Sequence, residues 1–188
     1  GHDFPGVTLV GVITADTALN IPDYRAGERT FQLLTQVGGR AGRGSKSGQV
    51  IIQTYTPDHY SILAAARQDY DGFYREELNF RKELYYPPYS FLVRLLVQGT
   101  VEKDVTVAAQ EIGSHLGGII NSLEAEEKVM ILGPSPAPLS RVRNRYRWHV
   151  LVKGEENMVR QVLDHFIDEL PRDEGVSVSV DVAPASLL

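Results

Sequence analysis

Residues 90–98 read SFLVRLLVQ, and this stretch opens the region in which the order of predicted elements decides the fold. Its high content of leucine and valine predicts a β-strand. The elements that follow it give the order strand, helix, strand, strand, helix, strand. This β-α-β-β-α-β order predicts an α+β, ferredoxin-like split βαβ domain, in which the strands form one sheet and both helices pack on one face. The predicted strands are residues 90–98, 128–132, 146–153 and 176–182, and the predicted helices are residues 101–123 and 155–170.

A smaller α/β segment precedes this domain. The run VTLVGVIT at residues 7–14 is continuous and rich in β-branched residues, which is typical of a strand buried on both faces of a mostly parallel sheet. A predicted helix over residues 27–37 ends at Gly38 and Gly39, and QVIIQTY at residues 49–55 predicts the next strand. Such a strand-helix-strand unit is the closing part of an open α/β sheet and is too small to be a domain alone.

Two helices are predicted between these parts, at residues 59–68 and 71–84, the first opened by the cap-like sequence Thr56-Pro57-Asp58. Their aromatic residues favour packing against a neighbouring domain over base stacking. Pro87 and Pro88 cannot continue a helix and therefore predict a domain boundary. We expect an α/β portion at residues 1–57, a helical linker at 58–87 and a C-terminal domain at 88–188.

The composition is that of a globular protein, with 188 residues, 43% hydrophobic and 23% charged. The chain opens on Gly1 without a signal-peptide pattern, and we interpret it as a fragment of a longer protein. No apolar run approaches the roughly 20 residues of a membrane span, so we expect a cytoplasmic location and no membrane partner. Because cysteine is absent and the histidines lack metal-ligand spacing, we predict no metal site in this chain.

Positive charge is concentrated in one segment, although the formal net charge is −5. Between Lys128 and Lys153 the only charged side chains are four arginines. Partners respond to such local fields rather than to the average charge. The candidate binding residues are Arg141, Arg143, Arg145, Arg147 and Lys153.

An extended chain in this segment would place Arg145, Arg147 and His149 on one face, and Tyr146 and Trp148 on the other. The cationic face fits nucleic-acid phosphates, or the carboxylates of an acidic peptide. A solvated strand edge that discourages aggregation explains the same arginines without a ligand. The aromatic face favours core packing over base stacking.

A second candidate site combines GHDFP at residues 1–5 with QVGGRAGR at residues 36–43. An arginine that stabilises charge on a γ-phosphoryl group needs a rigid support, and glycines such as Gly39 and Gly42 let the backbone approach a nucleotide. Arg40 and Arg43 lie three residues apart and would face one side of a helix end. Taken alone, the glycine-arginine string favours a flexible turn with two solvated arginines.

Together these motifs resemble the last two conserved motifs of superfamily-two helicases. QTYTPDHY, DYDGFYREELNFRKELYYPPY and VDVAPASLL extend the resemblance over essentially the whole chain, to the family of replication-restart DNA helicases called primosomal protein N-prime (PriA). The resemblance implies the end of RecA-like helicase lobe two, followed by the C-terminal domain. It also implies that Arg43 is the arginine finger, that Arg40 is a second γ-phosphate contact and that Gln36 orders the site. Residues that would couple the nucleotide to the bound strand are Gly1, Asp3, Gly39 and Gly42.

The same resemblance implies ATP and magnesium in the parent protein, and zinc in the family. The phosphate-binding loop, the acidic magnesium motif and the zinc-binding cysteines of the family are absent from this sequence, so we expect the fragment alone to be inactive. Implied partners are branched and single-stranded DNA, the acidic C-terminal tail of single-stranded-DNA-binding protein and other primosome proteins at the nucleoid. The alternative is a non-enzymatic nucleic-acid-binding module, whose activity would lie entirely in residues 88–188.

Overall fold

The computed structural model describes residues 7–41, 48–168 and 175–188, and the chain divides into two compact units, Gly1–Phe80 and Arg81–Leu188. Along the chain, the boundary between the two units falls between Phe80 and Arg81 rather than at Pro87. Residues 58–87, which the sequence suggests as one linker, are therefore divided between the two units.

The first unit contains a parallel strand pair and four helices among its described residues. Its strands pair in parallel, with Leu9 opposite Gln49 and Val12 opposite Ile52. The predicted order of strand, helix and strand is confirmed, although the strands are shorter than expected and one short helix was not predicted. The elements are β1 (Leu9–Val12), α1 (Asp16–Leu19), α2 (Ala26–Gly38), β2 (Gln49–Ile52), α3 (Tyr60–Arg67) and α4 (Tyr70–Glu83).

The core of the first unit joins α2 to the two helices that follow β2. Phe31 and Leu34 of α2 are buried together with Ile62 of α3 and Phe73 of α4. The rings of Phe31 and Phe73 stack with centroids 4.1 Å apart. Because α3 and α4 share a core with α2, they belong to the packing of this unit and do not form a separate linker.

The strand pair has one covered face and one open face. Val12 and Ile52 pack against the core, whereas Leu9 and Ile51 are 57% and 54% exposed. The prediction of a strand buried on both faces is therefore wrong for this unit, because its described residues cover only one side of the sheet.

Asp16 holds the ends of the two strands together. Its Oδ1 accepts hydrogen bonds from Thr54 Oγ1 and Thr56 Oγ1 at 2.8 Å, and its Oδ2 accepts one from the Tyr55 amide at 3.0 Å.

The next helix, α3, begins differently from the prediction. Its N-cap is His59, whose Nδ1 accepts from the Ser61 amide at 3.3 Å, and not the Thr56-Pro57-Asp58 stretch.

The second unit has one antiparallel sheet with the strand order β4-β5-β3-β6. The predicted order of elements is confirmed, but β4 is much longer than the predicted 128–132 and has register shifts between Leu132 and Ser135 and between Pro136 and Arg141. The elements are β3 (Phe91–Gly99), α5 (Glu102–Ser122), β4 (Val129–Val142), β5 (Arg145–Gly154), α6 (Glu156–Asp168) and β6 (Val176–Val182).

Both helices of the second unit pack on one face of this sheet. Val93, Leu95 and Val97 of β3 alternate with the residues of the opposite face and pack against the helices. The helices contribute buried side chains such as Leu116 of α5 and Phe166 of α6, which are both fully buried. This apolar layer is the largest core of the described residues and stabilises the unit in proportion to the area it removes from water.

The opposite side of the sheet, which we call the helix-free face, is also largely covered. Ala183 donates from its amide to the Leu92 backbone oxygen at 2.9 Å, and Leu187 is buried. The segment after β6 therefore lies over this face. The buried residues of the helix-free face itself are Leu92, Arg94, Leu96, His149, Leu151 and Lys153.

None of the helices in the described ranges combines the length and the apolar character that a bilayer crossing needs.

Candidate nucleic-acid interface

The predicted basic segment forms the hairpin between β4 and β5. Val142 and Arg145 are the last paired residues, and only Arg143 and Asn144 connect them. Both have positive φ values, 49° and 63°. A two-residue turn with two positive φ values matches the right-handed twist of the flanking strands. Arg143 is therefore held at the tip of the hairpin.

The tip of the hairpin is exposed and cationic. Arg141 and Arg143 are both exposed. The Arg141 guanidinium donates to Asn144 Oδ1 and lies 4.8 Å from the centroid of the Tyr146 ring, which orients it within the hairpin. Exposed Leu139 adds apolar surface beside these charges. An arrangement of this kind can contact phosphates or carboxylates while the turn keeps the two arginines together.

Arg145 and Arg147 are held closer to the sheet. Arg145 Nη2 donates to Ser177 Oγ at 3.0 Å, and Arg147 Nη1 donates to the Leu139 backbone oxygen at 3.2 Å. Both side chains are half-buried. Burial, and secondarily the positive charge of Arg94, lowers the pKa of Arg147. These two arginines support the root of the hairpin and present less charge to a partner than the tip does.

Lys153 lies apart from the exposed arginines. Its side chain is 4% exposed, its Nζ donates to the Leu84 backbone oxygen at 2.7 Å, and it lies 4.3 Å from the centroid of the Tyr86 ring. Burial lowers the pKa of this ammonium group. The prediction that Lys153 binds DNA or peptide therefore has no accessible charge to support it, because residues 84–86 enclose the side chain.

The aromatic side of β5 belongs to the core. Tyr146 and Trp148 are half-buried and pack against the cluster formed by both helices and the sheet. The preference for core packing over base stacking is confirmed for both residues. Because successive side chains of a strand point to opposite faces, Arg145 and Arg147 lie on the face of β5 opposite to these two rings.

The glycine-arginine motif lies around the end of α2. Gly39 is the C-cap of this helix, and the Arg40 amide donates to the Val37 backbone oxygen at 3.0 Å. Gln36 is exposed and lines an open depression of about 390 Å³ together with Arg29, Gln32 and Leu33. Gly1, Asp3, Gly42 and Arg43 lie outside the described residues.

The described part of the motif contains one guanidinium group, that of Arg40. A helix C-terminus carries a partial negative charge and repels anions, so any attraction for phosphate must come from the guanidinium of Arg40. Gln36 adds an exposed amide on the last full turn of α2. Within the described residues no three His, Asp or Glu side chains converge as metal ligands.

Comparison with known sequences identifies the family. The sequence family described as primosomal protein N C-terminal domain matches residues 82–185, which is more than half of the chain. The chain belongs to the primosomal protein N family. The family match and the second compact unit, Arg81–Leu188, have nearly the same limits, so the domain of the primosomal protein N family is the unit that carries the arginine hairpin.

Relatives of the chain include several proteins named replication restart protein PriA. The protein from Bacillus subtilis (strain 168) is 43% identical over 193 residues, covering 100% of this chain and 23% of that protein. The Synechocystis protein is 43% identical over 187 residues, covering 100% of this chain and 22% of that protein. The Treponema pallidum protein is 37% identical over 189 residues, covering 100% and 28%. The chain thus spans about a quarter of the length of the curated relatives it matches.

One further polar residue of the primosomal protein N domain, Arg94, was not identified from the sequence, and it lies on the same face of the sheet as His149, which the alternation along β5 had placed beside Arg147. Arg94 and His149 are both 8% exposed and lie on the helix-free face. Arg94 Nη2 forms an ion pair with Asp181 Oδ2 at 2.9 Å, and His149 Nε2 lies 3.1 Å from Ser135 Oγ. A signal for Arg94 was present, since it is the one charged residue in the apolar run 90–98.

Proposed function

We propose that the chain is the C-terminal part of an ATP-dependent DNA helicase that recognises stalled or branched replication forks and initiates primosome assembly for replication restart. The observation that carries this proposal is the similarity to replication restart proteins over the whole chain, across both compact units. A similarity confined to residues 82–185 would have supported a binding module alone.

The first unit is proposed to be the closing part of RecA-like helicase lobe two. Its parallel pair β1–β2, joined through α2, supports this because parallel strands with a helical crossover are the building unit of such lobes. Leu9 and Ile51 are exposed on the open face of the pair, which suits a sheet whose second face is covered by another layer of the lobe.

The second unit is proposed to be a ferredoxin-like domain that binds DNA and proteins. The antiparallel order β4-β5-β3-β6 with α5 and α6 on one face supports the split βαβ arrangement. Exposed Arg141 and Arg143 at the hairpin tip are the proposed DNA contacts, with Arg145 and Arg147 behind them. We also propose the acidic tail of single-stranded-DNA-binding protein and other primosome proteins as partners of this domain, at the nucleoid in the cytoplasm.

In the parent enzyme the proposed reaction is phosphoryl transfer from ATP to water with magnesium present. Arg43 is the proposed arginine finger and Arg40 a second contact, because guanidinium groups stabilise charge that develops on the transferred group. Gln36 is proposed to order the site. Gly1, Asp3, Gly39 and Gly42 are proposed to couple the nucleotide to the bound strand. Zinc is proposed for the parent alone, since this sequence contains no cysteine.

The experiment that tests this function is steady-state ATP hydrolysis by the full-length parent, with and without forked DNA, together with DNA binding. Arg43→Ala should abolish DNA-stimulated hydrolysis and leave DNA binding nearly unchanged. Arg67→Ala is the matched control, because Arg67 is an exposed arginine at the end of α3 in the same unit. Hydrolysis that is absent in the wild type, or indifferent to Arg43, would contradict the proposal and favour a non-enzymatic nucleic-acid-binding module.

A further inference from the structure

Three basic side chains lie close together on the helix-free face. Arg94 is on β3, while Arg147 and His149 are two residues apart on β5. The register pairs Leu96 with His149 and places Arg94 two residues from that pair. Burial lowers the pKa of His149, and the positive charges of Arg94 and Arg147 lower it further. The three groups are therefore near enough for their charges to act on one another.

Two nitrogen atoms in this group have no hydrogen-bond partner among the described residues. They are Nε of Arg94 and Nδ1 of His149, and both atoms are buried. Buried polar atoms are normally satisfied, and an exception that recurs in one place is a sign of a bound group. In the neutral tautomer whose Nε2 accepts from the Ser135 hydroxyl, and in the charged imidazole, Nδ1 carries a proton and is a donor.

Of the two arginines in this group, Arg94 is the one that is paired with a side-chain carboxylate within the described residues. From β6 the carboxylate of Asp181 pairs with Arg94, but its side chain is 43% exposed. From β4 the contact is the uncharged Ser135, and an oxygen of Leu188, the last residue of the sequence, accepts from Arg94 Nη1 at 3.0 Å. Both guanidinium groups remain charged at all ordinary pH values, and that of Arg147 donates to the Leu139 backbone oxygen and forms no ion pair within the described residues.

We propose that Arg94, Arg147 and His149 form a binding site for a phosphate group. Guanidinium forks and an imidazole donor match the several acceptor oxygens of such an oxyanion. Arg147 is the half-buried member, so an anion that arrives from solvent meets this guanidinium first. The site is distinct from the hairpin tip, because it uses neither Arg141 nor Arg143. The phosphate group can be free inorganic phosphate or the phosphodiester of a nucleic acid.

The test follows the titration of His149 by NMR in the whole chain. Inorganic phosphate, compared with chloride at equal ionic strength, should raise the pKa of His149 by about one unit or more, since a nearby anion favours the charged imidazole. His149→Gln assigns the signal by its loss. His165 on α6 is the internal control, because it is exposed and its Nδ1 lies 2.8 Å from the Gln161 backbone oxygen. An equal rise at His165, or no rise at His149, overturns the proposal.

Two arginine variants separate this site from the tip of the hairpin. Arg147→Gln should abolish the effect of phosphate on His149, whereas Arg143→Asn at the hairpin tip should leave it intact. A response that survives in Arg147→Gln contradicts the assignment of residues. If Arg147→Gln does not fold, the wild-type comparison of His149 with His165 still decides the outcome. Failure of this site leaves the proposed function untouched, because that function is tested through Arg43 and the hairpin tip.

A second titration distinguishes the sources of the phosphate group. Oligothymidylate in a phosphate-free buffer should reproduce the rise in the pKa of His149 if the site takes the phosphodiester of a nucleic acid. A rise with inorganic phosphate alone assigns the site to the free anion. The absence of a rise with either probe rejects the site.

Discussion

Lys153 on β5 and Leu84 are joined by a hydrogen bond of 2.7 Å from the lysine Nζ to the leucine backbone oxygen. The Tyr86 ring covers the same ammonium group, with its centroid 4.3 Å away. Lys153→Met keeps most of the apolar stem and removes both contacts. We expect it to lower the free energy of unfolding of the second unit by about 1.5–3 kcal/mol, the range for hydrogen bonds made by charged groups.

The measurement is urea unfolding followed by the fluorescence of Trp148, which is the only tryptophan and belongs to the second unit. Lys103→Met is the matched control, because Lys103 is exposed on α5. DNA affinity should be nearly the same in Lys153→Met and in Lys103→Met. A selective loss of DNA affinity in Lys153→Met would contradict this prediction and indicate that Lys153 contacts DNA.

Arg143 at the hairpin tip is predicted to contact a DNA phosphate. Arg143→Asn removes the charge and keeps a residue that tolerates the left-handed backbone of the turn, where φ is 49°. The slope of log affinity against log salt concentration should fall by about 1, as expected for one lost phosphate contact. The measurement is fluorescence anisotropy with labelled forked DNA over a salt series.

The control for charge is Arg160→Gln on α6, where Arg160 pairs with Glu156 at 2.7 Å on an exposed surface. Both variants change the net charge equally. If the two slopes decrease alike, the effect is general electrostatics and the hairpin has no special role.

Asp16 is predicted to give the first unit a stability that depends on pH. Burial raises the pKa of its carboxyl group, but hydrogen bonds from Thr56, Thr54 and the Tyr55 amide outweigh this and lower it to about 2. The pKa is about 4 in an unfolded chain. A folded-state pKa below the unfolded one means that the contribution is fully present above about pH 4 and is lost as the pH falls towards 2.

Asp16→Asn should therefore speed hydrogen exchange of the Tyr55 amide near neutral pH, and the difference from the wild type should shrink between about pH 4 and pH 2. Asp58→Asn serves as the control, since Asp58 is exposed and lies near the same loop. A difference that stays constant as the pH is lowered would show that the amide bond of Tyr55 does not depend on the ionised carboxylate.

The order of elements in the second unit could be predicted because its apolar runs are separated by clear turns. For β6 the predicted and observed limits are the same, Val176–Val182. The length of β4 could not be predicted, because Pro134, Pro136 and Pro138 favour a loop when they are considered alone. The strand accommodates this stretch through two shifts of register against β5.

The candidate site was predictable where it depends on local alternation and not where it depends on distant segments. Alternation along β5 placed Trp148 in the core and the arginines opposite it. It could not reveal that residues 84–86 enclose Lys153, since Leu84 lies 69 residues away in the sequence. The pairing of Arg94 with Asp181 was missed for the same reason, because their strands are brought together by the sheet order.

Leu116 on α5 is predicted to be a main support of the second unit, because its side chain is fully buried between the helices and the sheet. Leu116→Ala leaves a cavity in this core and should lower the free energy of unfolding by about 2–5 kcal/mol. Val107→Ala on the same helix is the control, since Val107 is 43% exposed and should change stability by less than about 1 kcal/mol. Urea midpoints from Trp148 fluorescence compare the two variants, and equal midpoints would mean that α5 does not pack on the sheet through Leu116.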